Sequence, residues 1–292
     1  MHDGQVRTDA GLVRRLLAEQ FPEWEQLPIT PVASFGTDHD VYRLGESLAV
    51  RLPIVAWATA QAPKEALWLP RLAPLLPLQV PAYVGQGKPG HEYPFAWSVV
   101  EWLPGEDAVN ADLDMARAAR DLAAFVIALR AAATDGAPPR PQGARGSPLA
   151  DLDAGLRDAL DRLGDRIDTA AVERVWDEAL QADAHLGPDV WVHGDLLPGN
   201  LLVQDRRLTG VIDFGGLNVG DPACDLQPAW ALFDEKSRHV YREALGVDQA
   251  SWLRGRGWSV CQAVMALPYY WHTNPGIVRQ SWRALAALGV PT

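Results

Sequence analysis

In the stretch WVHGDLLPGNLLV, residues 191–203, Asp195 is followed five positions later by Asn200, and thirteen positions further on Asp213 stands ahead of Phe214-Gly215. A carboxylate that can orient a hydroxyl and take its proton, joined by an amide oxygen and a second carboxylate as hard ligands for magnesium, is the set that phosphoryl transfer requires. Asp195 or Asn200 alone would more often be a capped surface turn. The ordered trio at this spacing is what favours chemistry.

The elements around these residues have to bring them together. DVWVH reads as a strand ending just before Asp195, a position from which a side chain can reach into a cleft. NLLVQ and LTGVIDF read as two further strands, and a hairpin-like pairing would carry Asp195, Asn200 and Asp213 to one edge. Upstream, from Ile29 to Leu103, ITPVAS, DVYRL, LAVRL, VPAYVG and FAWSVVEWL read as short strands bounded by Gly, Pro, Asp or Ser. Residues 55–76, rich in Ala and Leu despite Pro63 and Pro70, read as one or two helices among them. Past Pro104-Gly105 the character turns helical. Asn110 is a candidate cap for a helix with Leu113, Leu122, Val126 and Leu129 on one face. After the loop GAPPRPQGARGSP, two amphipathic helices follow, marked by Leu152, Leu156, Leu160, Leu163 and Ile167, then by Val172, Val175, Trp176, Ala179 and Leu180. The fold class is therefore α+β, with a strand-rich part over 1–103 and a larger, mainly helical part over 104–292.

Composition narrows the partners. The 292 residues, 48% hydrophobic, suffice for a sizeable core. A formal net charge of -11 argues against binding nucleic-acid backbones and suits a cationic ligand. Cys224 and Cys261 make no zinc or disulfide framework, which points to a reducing cytoplasm. The charged N-terminal stretch lacks the apolar core of a signal peptide, and no apolar run reaches the length of a membrane span.

HGDLLPGN, IDFGG and GDPACDL resemble the aminoglycoside phosphotransferase family, and H-x-D-x-x-x-x-N followed by D-F-G has the spacing of the kinase catalytic and metal-binding loops. The similarity runs from about Ile29 onward and is most specific over residues 193–225. It implies a two-lobed protein-kinase-like fold, an N-terminal antiparallel sheet lobe with a helix and a helical C-terminal lobe. It also implies ATP or GTP with magnesium, and a small hydroxyl compound as acceptor. By the same resemblance Asp195 is the catalytic base and Asn200 and Asp213 are metal ligands; for His193, bracing the loop by hydrogen bonding is favoured over proton transfer. Asp221 and Asp225 match the acidic pair of the family's D-P-x-x-D segment, with structural support and substrate contact both open.

On the nucleotide side, Ser34, Gly36 and Thr37 would form a short loop whose backbone amides approach phosphates. Arg51 stands where the family usually has a phosphate-binding lysine, in a chain whose only lysines are Lys64, Lys88 and Lys236. A guanidinium is a planar fork and an ammonium a point charge, so the phosphate geometry differs here. Glu65 would hold that cation, a solvated helix glutamate being the plainer reading. Glu101 and Leu103, in SVVEWLPGE, would offer backbone groups to the adenine edge.

Other chemistries are weaker. GQGKPG, residues 85–90, satisfies G-x-G-x-x-G but leads towards more strand, so it reads as a hairpin loop. Gly45-Glu46-Ser47 only approximates a nucleophile elbow, the histidines lack zinc spacing, and Arg254-Gly255-Arg256-Gly257 in an acidic chain reads as surface charge. Most of the 12 tryptophans should pack the core. Tyr269, Tyr270 and Trp271 could equally wall an acceptor pocket, and Asp225, Asp234 and Glu235 are candidate contacts for a cationic acceptor. The expected activity is magnesium-dependent phosphorylation of a small-molecule hydroxyl by a monomer or weak dimer, an aminoglycoside or related antibiotic being the first acceptor class. Macrolides, choline-like alcohols and sugars are alternatives, as is a nucleotide-binding module without catalysis.

Overall fold

The computed structural model describes residues 5–32 and 38–291. Ser34, Gly36 and Thr37 lie outside the described residues. Two compact units divide the chain: Met1–Pro74 with Gln79–Pro104, and Leu75–Leu78 with Gly105–Thr292.

The first unit is built on an antiparallel sheet of β1 (Ile29–Pro31), β2 (His39–Leu44), β3 (Leu48–Pro53), β4 (Tyr83–Gly87) and β5 (Trp97–Glu101), in the order β1-β2-β3-β5-β4. A helix that the strand-based reading did not anticipate, α1 (Ala10–Gln20), covers it. Asp9 caps α1 by accepting from the Leu12 N–H at 2.7 Å. Leu12, Val13, Leu16 and Leu17 then fall on one face and pack with Tyr42, Leu44, Val50, Leu52, Trp97 and Val99. Each such aliphatic burial is worth roughly 1.5–3 kcal/mol, which is why the short helix holds. The Ala/Leu-rich segment forms α2 (Gln61–Leu72), flanked by 3₁₀ turns at Ala56–Ala60 and Ala73–Leu75, with Pro70 in its last turn.

The glycines of GQGKPG have a packing role. Gly85 and Gly87 lie within β4 itself, not in the loop as expected, and only Lys88 onward connects to β5. A Cβ on Gly87 would stand 1.9 Å from Trp97 Cε2, and one on Gly85 2.8 Å from Phe21 Cε1. These positions are glycine because aromatic rings lie on the strand.

The second unit contains β6 (Glu106–Asp107), α3 (Met115–Ala131), α4 (Asp153–Leu163), α5 (Thr169–Leu180), β7 (Val190–Val192), β8 (Leu201–Gln204), β9 (Arg207–Val211), β10 (Asn218–Gly220), α6 (Pro228–Ala231), α7 (Glu235–Leu245), α8 (Gln249–Tyr270) and α9 (Pro275–Ala287). The cap of α3 is Asp114, accepting from the Arg117 N–H at 3.1 Å, instead of Asn110. Helix α8 packs against α4, α5 and α9. Its Arg-Gly-Arg-Gly stretch is surface charge only at Arg256: a Cβ on Gly255 would lie 2.7 Å from Leu226, and one on Gly257 2.6 Å from Leu149. Arg254 is buried on Asp221 and Arg256 pairs with Glu178 at 2.6 Å. Trp97, Trp176, Trp191 and Trp258 are among the largest fully buried side chains, whereas Trp57 is exposed. Among the described residues, no helix is long and apolar enough to cross a membrane.

Candidate active site

Two separate ladders deliver the trio. Strands β8 and β9 form a hairpin with Leu201 opposite Val211, closed by Asp205 and Arg206, both at positive φ. Asn200 immediately precedes one arm and Asp213 follows the other, and the Ile212 N–H donates to the Asn200 carbonyl at 2.9 Å. Asp195 does not come from this hairpin. It follows β7, whose partner is β10. The ladders meet through Asn200, whose Nδ2 donates to the Asp195 carbonyl and to Asp195 Oδ2, each at 2.9 Å.

Both amide hydrogens of Asn200 are thus committed to Asp195. Its Oδ1 has no hydrogen-bond partner among the described residues, which leaves a hard oxygen available. Asp213 sits at φ 62°, ψ 74° in the left-handed region, and its carboxylate accepts from the Gly215 N–H at 3.3 Å. A non-glycine residue held there is costly by roughly 1–3 kcal/mol and marks a conformation the surroundings enforce.

Below the surface, Asp225 holds the loop. Fully buried, it accepts from the His193 N–H at 2.9 Å and the Gly194 N–H at 2.7 Å, one on each oxygen. Burial pushes its carboxyl above the ordinary range, and the Gly194 N–H and the Arg130 guanidinium offset this only in part. The Tyr241 hydroxyl donates to the Asp225 carbonyl at 2.8 Å, tying the arrangement to α7. His193 is buried too. Its Nε2 faces the Ile212 carbonyl at 3.2 Å and must donate there, so Nδ1 accepts from the Asp195 N–H at 3.2 Å. The ring is a neutral brace stacked edge-on against Phe214 at 4.6 Å.

One residue beside Asp195 has no counterpart in the sequence reading. Arg145, from the Pro/Gly/Arg-rich loop, places Nη2 3.7 Å from Asp195 Oδ1. Its only local signal is that it stands between Gly143 and Gly146, both at positive φ.

In the first unit, Arg51 on β3 pairs with Glu65 on α2, Nη1 to Oε2 at 2.5 Å, with Glu65 1% exposed and Arg51 13%. Glu65 is therefore no solvated helix glutamate. The Tyr83 hydroxyl donates to the same Oε2 at 2.9 Å, while Oε1 is buried without a partner. Burial and the Glu65 charge push the Tyr83 phenol upward, so it stays a donor. The Glu101 N–H is taken by the Ala82 carbonyl at 2.8 Å.

The residues named as acceptor contacts scatter. Asp225 is corrected: both its oxygens hold backbone inside the unit, so it cannot meet a solute. Asp221 is likewise internal, accepting from Arg254 Nε at 2.7 Å and from the Ala223 N–H at 2.9 Å. Asp234 caps α7 through the Ser237 N–H, and that bond holds its carboxyl below the ordinary range. Glu235 is exposed in the first turn of the same helix. Tyr269 is exposed and edge-on to Tyr270 at 4.6 Å, and Trp271 is edge-on to Trp282 at 6.1 Å with the Arg166 guanidinium over its ring.

Comparison with known proteins follows the same lines. The GDP and kanamycin complex of APH(2")-IIia superposes with a TM-score of 0.75 at 18% identity, covering 95% of this chain and 97% of that one. ADP-bound aminoglycoside phosphotransferase APH(2'')-Ib gives 0.63 at 18% identity, covering 96% and 98%. Macrolide 2'-phosphotransferase MphH from Brachybacterium faecium gives 0.61 at 24% identity, covering 96% and 99%. These likenesses carry the kinase-like fold. No curated protein matches the chain by sequence. The family described as phosphotransferase enzymes matches residues 29–262, a span that holds β1 through most of α8 and with them Arg51, Glu65, Asp195, Asn200 and Asp213. With most of its length inside that match, this chain belongs to the phosphotransferase enzyme family.

Proposed function

We propose that the protein transfers the γ-phosphoryl group of ATP or GTP to a hydroxyl of a small molecule, residues 1–103 serving the nucleotide and 104–292 the acceptor and the chemistry. The observation that carries this reading is the Asp195–Asn200 pair. Asp195 is 27% exposed, and Asn200 fixes one of its carboxylate oxygens. In this role Asp195 orients the acceptor hydroxyl and takes its proton. Magnesium fits the donor set, because Asn200 Oδ1 is unpaired and Asp213 offers a carboxylate at the same end of the hairpin. Among the described residues no group of three or more His, Cys, Asp and Glu could hold a metal. That agrees with an ion carried largely by phosphates and water and held by one or two side chains. Its contribution when bound is to neutralise phosphate charge. Arg51, held by Glu65, would bind phosphate with a guanidinium, Ser34, Gly36 and Thr37 would offer backbone amides, and Glu101 and Leu103 would offer backbone to the adenine edge.

For the acceptor, an aminoglycoside or related antibiotic remains the first class, in keeping with the kanamycin in one structural relative. A neutral acceptor is the second reading, favoured by the loss of Asp225 and by the capping role of Asp234, which leave fewer carboxylates to draw a polycation. Tyr269, Tyr270 and Trp271 would then supply apolar walls.

The test is magnesium-dependent ATP turnover across aminoglycosides, macrolides and neutral hydroxyl compounds, read by mass spectrometry for an added phosphate. Asp195→Asn should lower turnover roughly a hundredfold or more while nucleotide binding is kept. Turnover that Asp195→Asn leaves intact would refute the assignment. Nucleotide binding with no phosphorylated product would favour the non-catalytic module.

A further inference from the structure

We propose that Arg145 is a positioning residue for phosphoryl transfer, its guanidinium and the Asn200 amide dividing the two oxygens of Asp195 between them. The proposal rests on the phosphotransfer reading of Asp195.

The geometry is specific. Asn200 Nδ2 takes Oδ2 at 2.9 Å, and Arg145 Nη2 stands 3.7 Å from Oδ1. At that distance the two groups form an ion pair and not a tight hydrogen bond. In the transfer the acceptor O–H proton moves to Asp195 as the new O–P bond forms. The bond from the γ-phosphorus to its bridging oxygen breaks, and the electron pair leaves on the nucleoside diphosphate. The Arg145 charge on Oδ1 adds to the Asn200 bond on Oδ2 in restraining rotation about the Cβ–Cγ bond, and small misplacements of a reacting group cost up to about a hundredfold.

Arg145 is also seated, not simply nearby. A Cβ on Gly194, which has φ +78°, would lie 2.6 Å from both Cβ and Cγ of Arg145, so its stem lies directly on the backbone next to Asp195. Gly216 borders the same stem, its Cβ position being 3.5 Å from Arg145 Cγ. The following residue is locked as well: the Gly146 carbonyl accepts from the Asp221 N–H at 2.9 Å, and a Cβ on Gly146 would lie 3.1 Å from Gly220 Cα. A residue 50 positions upstream of the base is thereby held by Gly194, next to Asp195, and by Gly216, three residues after Asp213. The side chain is 34% exposed, so its head remains next to solvent and to whatever binds at Asp195.

The experiment uses the full-length protein, with magnesium-ATP and either the best acceptor of the panel or water, the latter read as phosphate release. Arg145→Met keeps the stem and removes the charge. It should lower kcat about tenfold or more, leave the KM for ATP within about twofold and leave the melting temperature near wild type. Arg145→Lys should recover a substantial part of kcat. Because Arg145 acts through Asp195, adding Arg145→Met to Asp195→Asn should change kcat little further. Wild-type kcat in Arg145→Met, or a full additional loss in the double variant, would overturn the proposal while leaving phosphotransfer intact. Equal turnover in wild type and Asp195→Asn would overturn the phosphotransfer reading and this proposal together.

Discussion

Replacing Asp225 by asparagine tests whether a buried carboxylate fixes the loop that carries Asp195. The native side chain gives one oxygen to the His193 N–H at 2.9 Å and the other to the Gly194 N–H at 2.7 Å, out of contact with water. Asparagine has a single acceptor oxygen, so one N–H keeps a partner and the other faces an NH₂ group. Losing a hydrogen bond to a charged group costs roughly 1.5–3 kcal/mol, with more for the donor left buried and unpaired. Relief of burying a charge returns part of this, for a net loss of about 1–3 kcal/mol. At about 2–4 °C per kcal/mol for a unit of this size, a 2 kcal/mol loss lowers the melting temperature by roughly 4–8 °C. Calorimetry measures it, and kcat should fall alongside because positions 193 and 194 lead directly into Asp195. The pH dependence has a definite sign. Since burial raises the Asp225 pKa above the ordinary 3.8, the stability linked to its proton is full below that value. It declines as pH rises through the raised value, so the advantage of wild type over Asp225→Asn should be largest at the acid end. An Asp225→Asn protein with unchanged melting temperature and kcat would refute the reasoning.

Arg51→Lys should retain substantial activity, because an ammonium can still reach Glu65 and phosphate, whereas Arg51→Ala should weaken nucleotide binding on the order of tenfold by calorimetry. Equal affinity in Ala and wild type would place Arg51 outside the phosphate site. Gly87→Ala should cost about 1–3 kcal/mol, read as a lower melting temperature, since its Cβ would overlap the Trp97 ring. Arg254→Met should cost roughly 3–5 kcal/mol by leaving Asp221 buried without its counter-charge, and adding Asp221→Asn should recover part of it in chemical denaturation.

What the amino-acid sequence determined by itself is whatever depends on short spacing. The interval from Asp195 to Asn200, the Asp-Phe-Gly that follows β9, and the alternation of β2, β3 and β5 all lie within one element or one turn, where local geometry dictates which side chains meet. The α+β class followed from the same periodicities, and so did the helices α4 and α5. Tertiary structure decided everything that depends on residues far apart in the chain. Asp225 could be read as a substrate contact until its two oxygens were found on the backbone of His193 and Gly194, some thirty residues away. The glycines of GQGKPG match a phosphate fingerprint in one dimension and make room for Phe21 and Trp97 in three. Helix α1 carries a cap and an apolar face, yet only the sheet it covers makes that face a core. Arg145 belongs to no motif. Its guanidinium reaches Asp195 because loop 136–148 folds back over Gly194 and Gly216, and burial, charge pairing and close approach of this kind are properties of chain segments that only folding brings together.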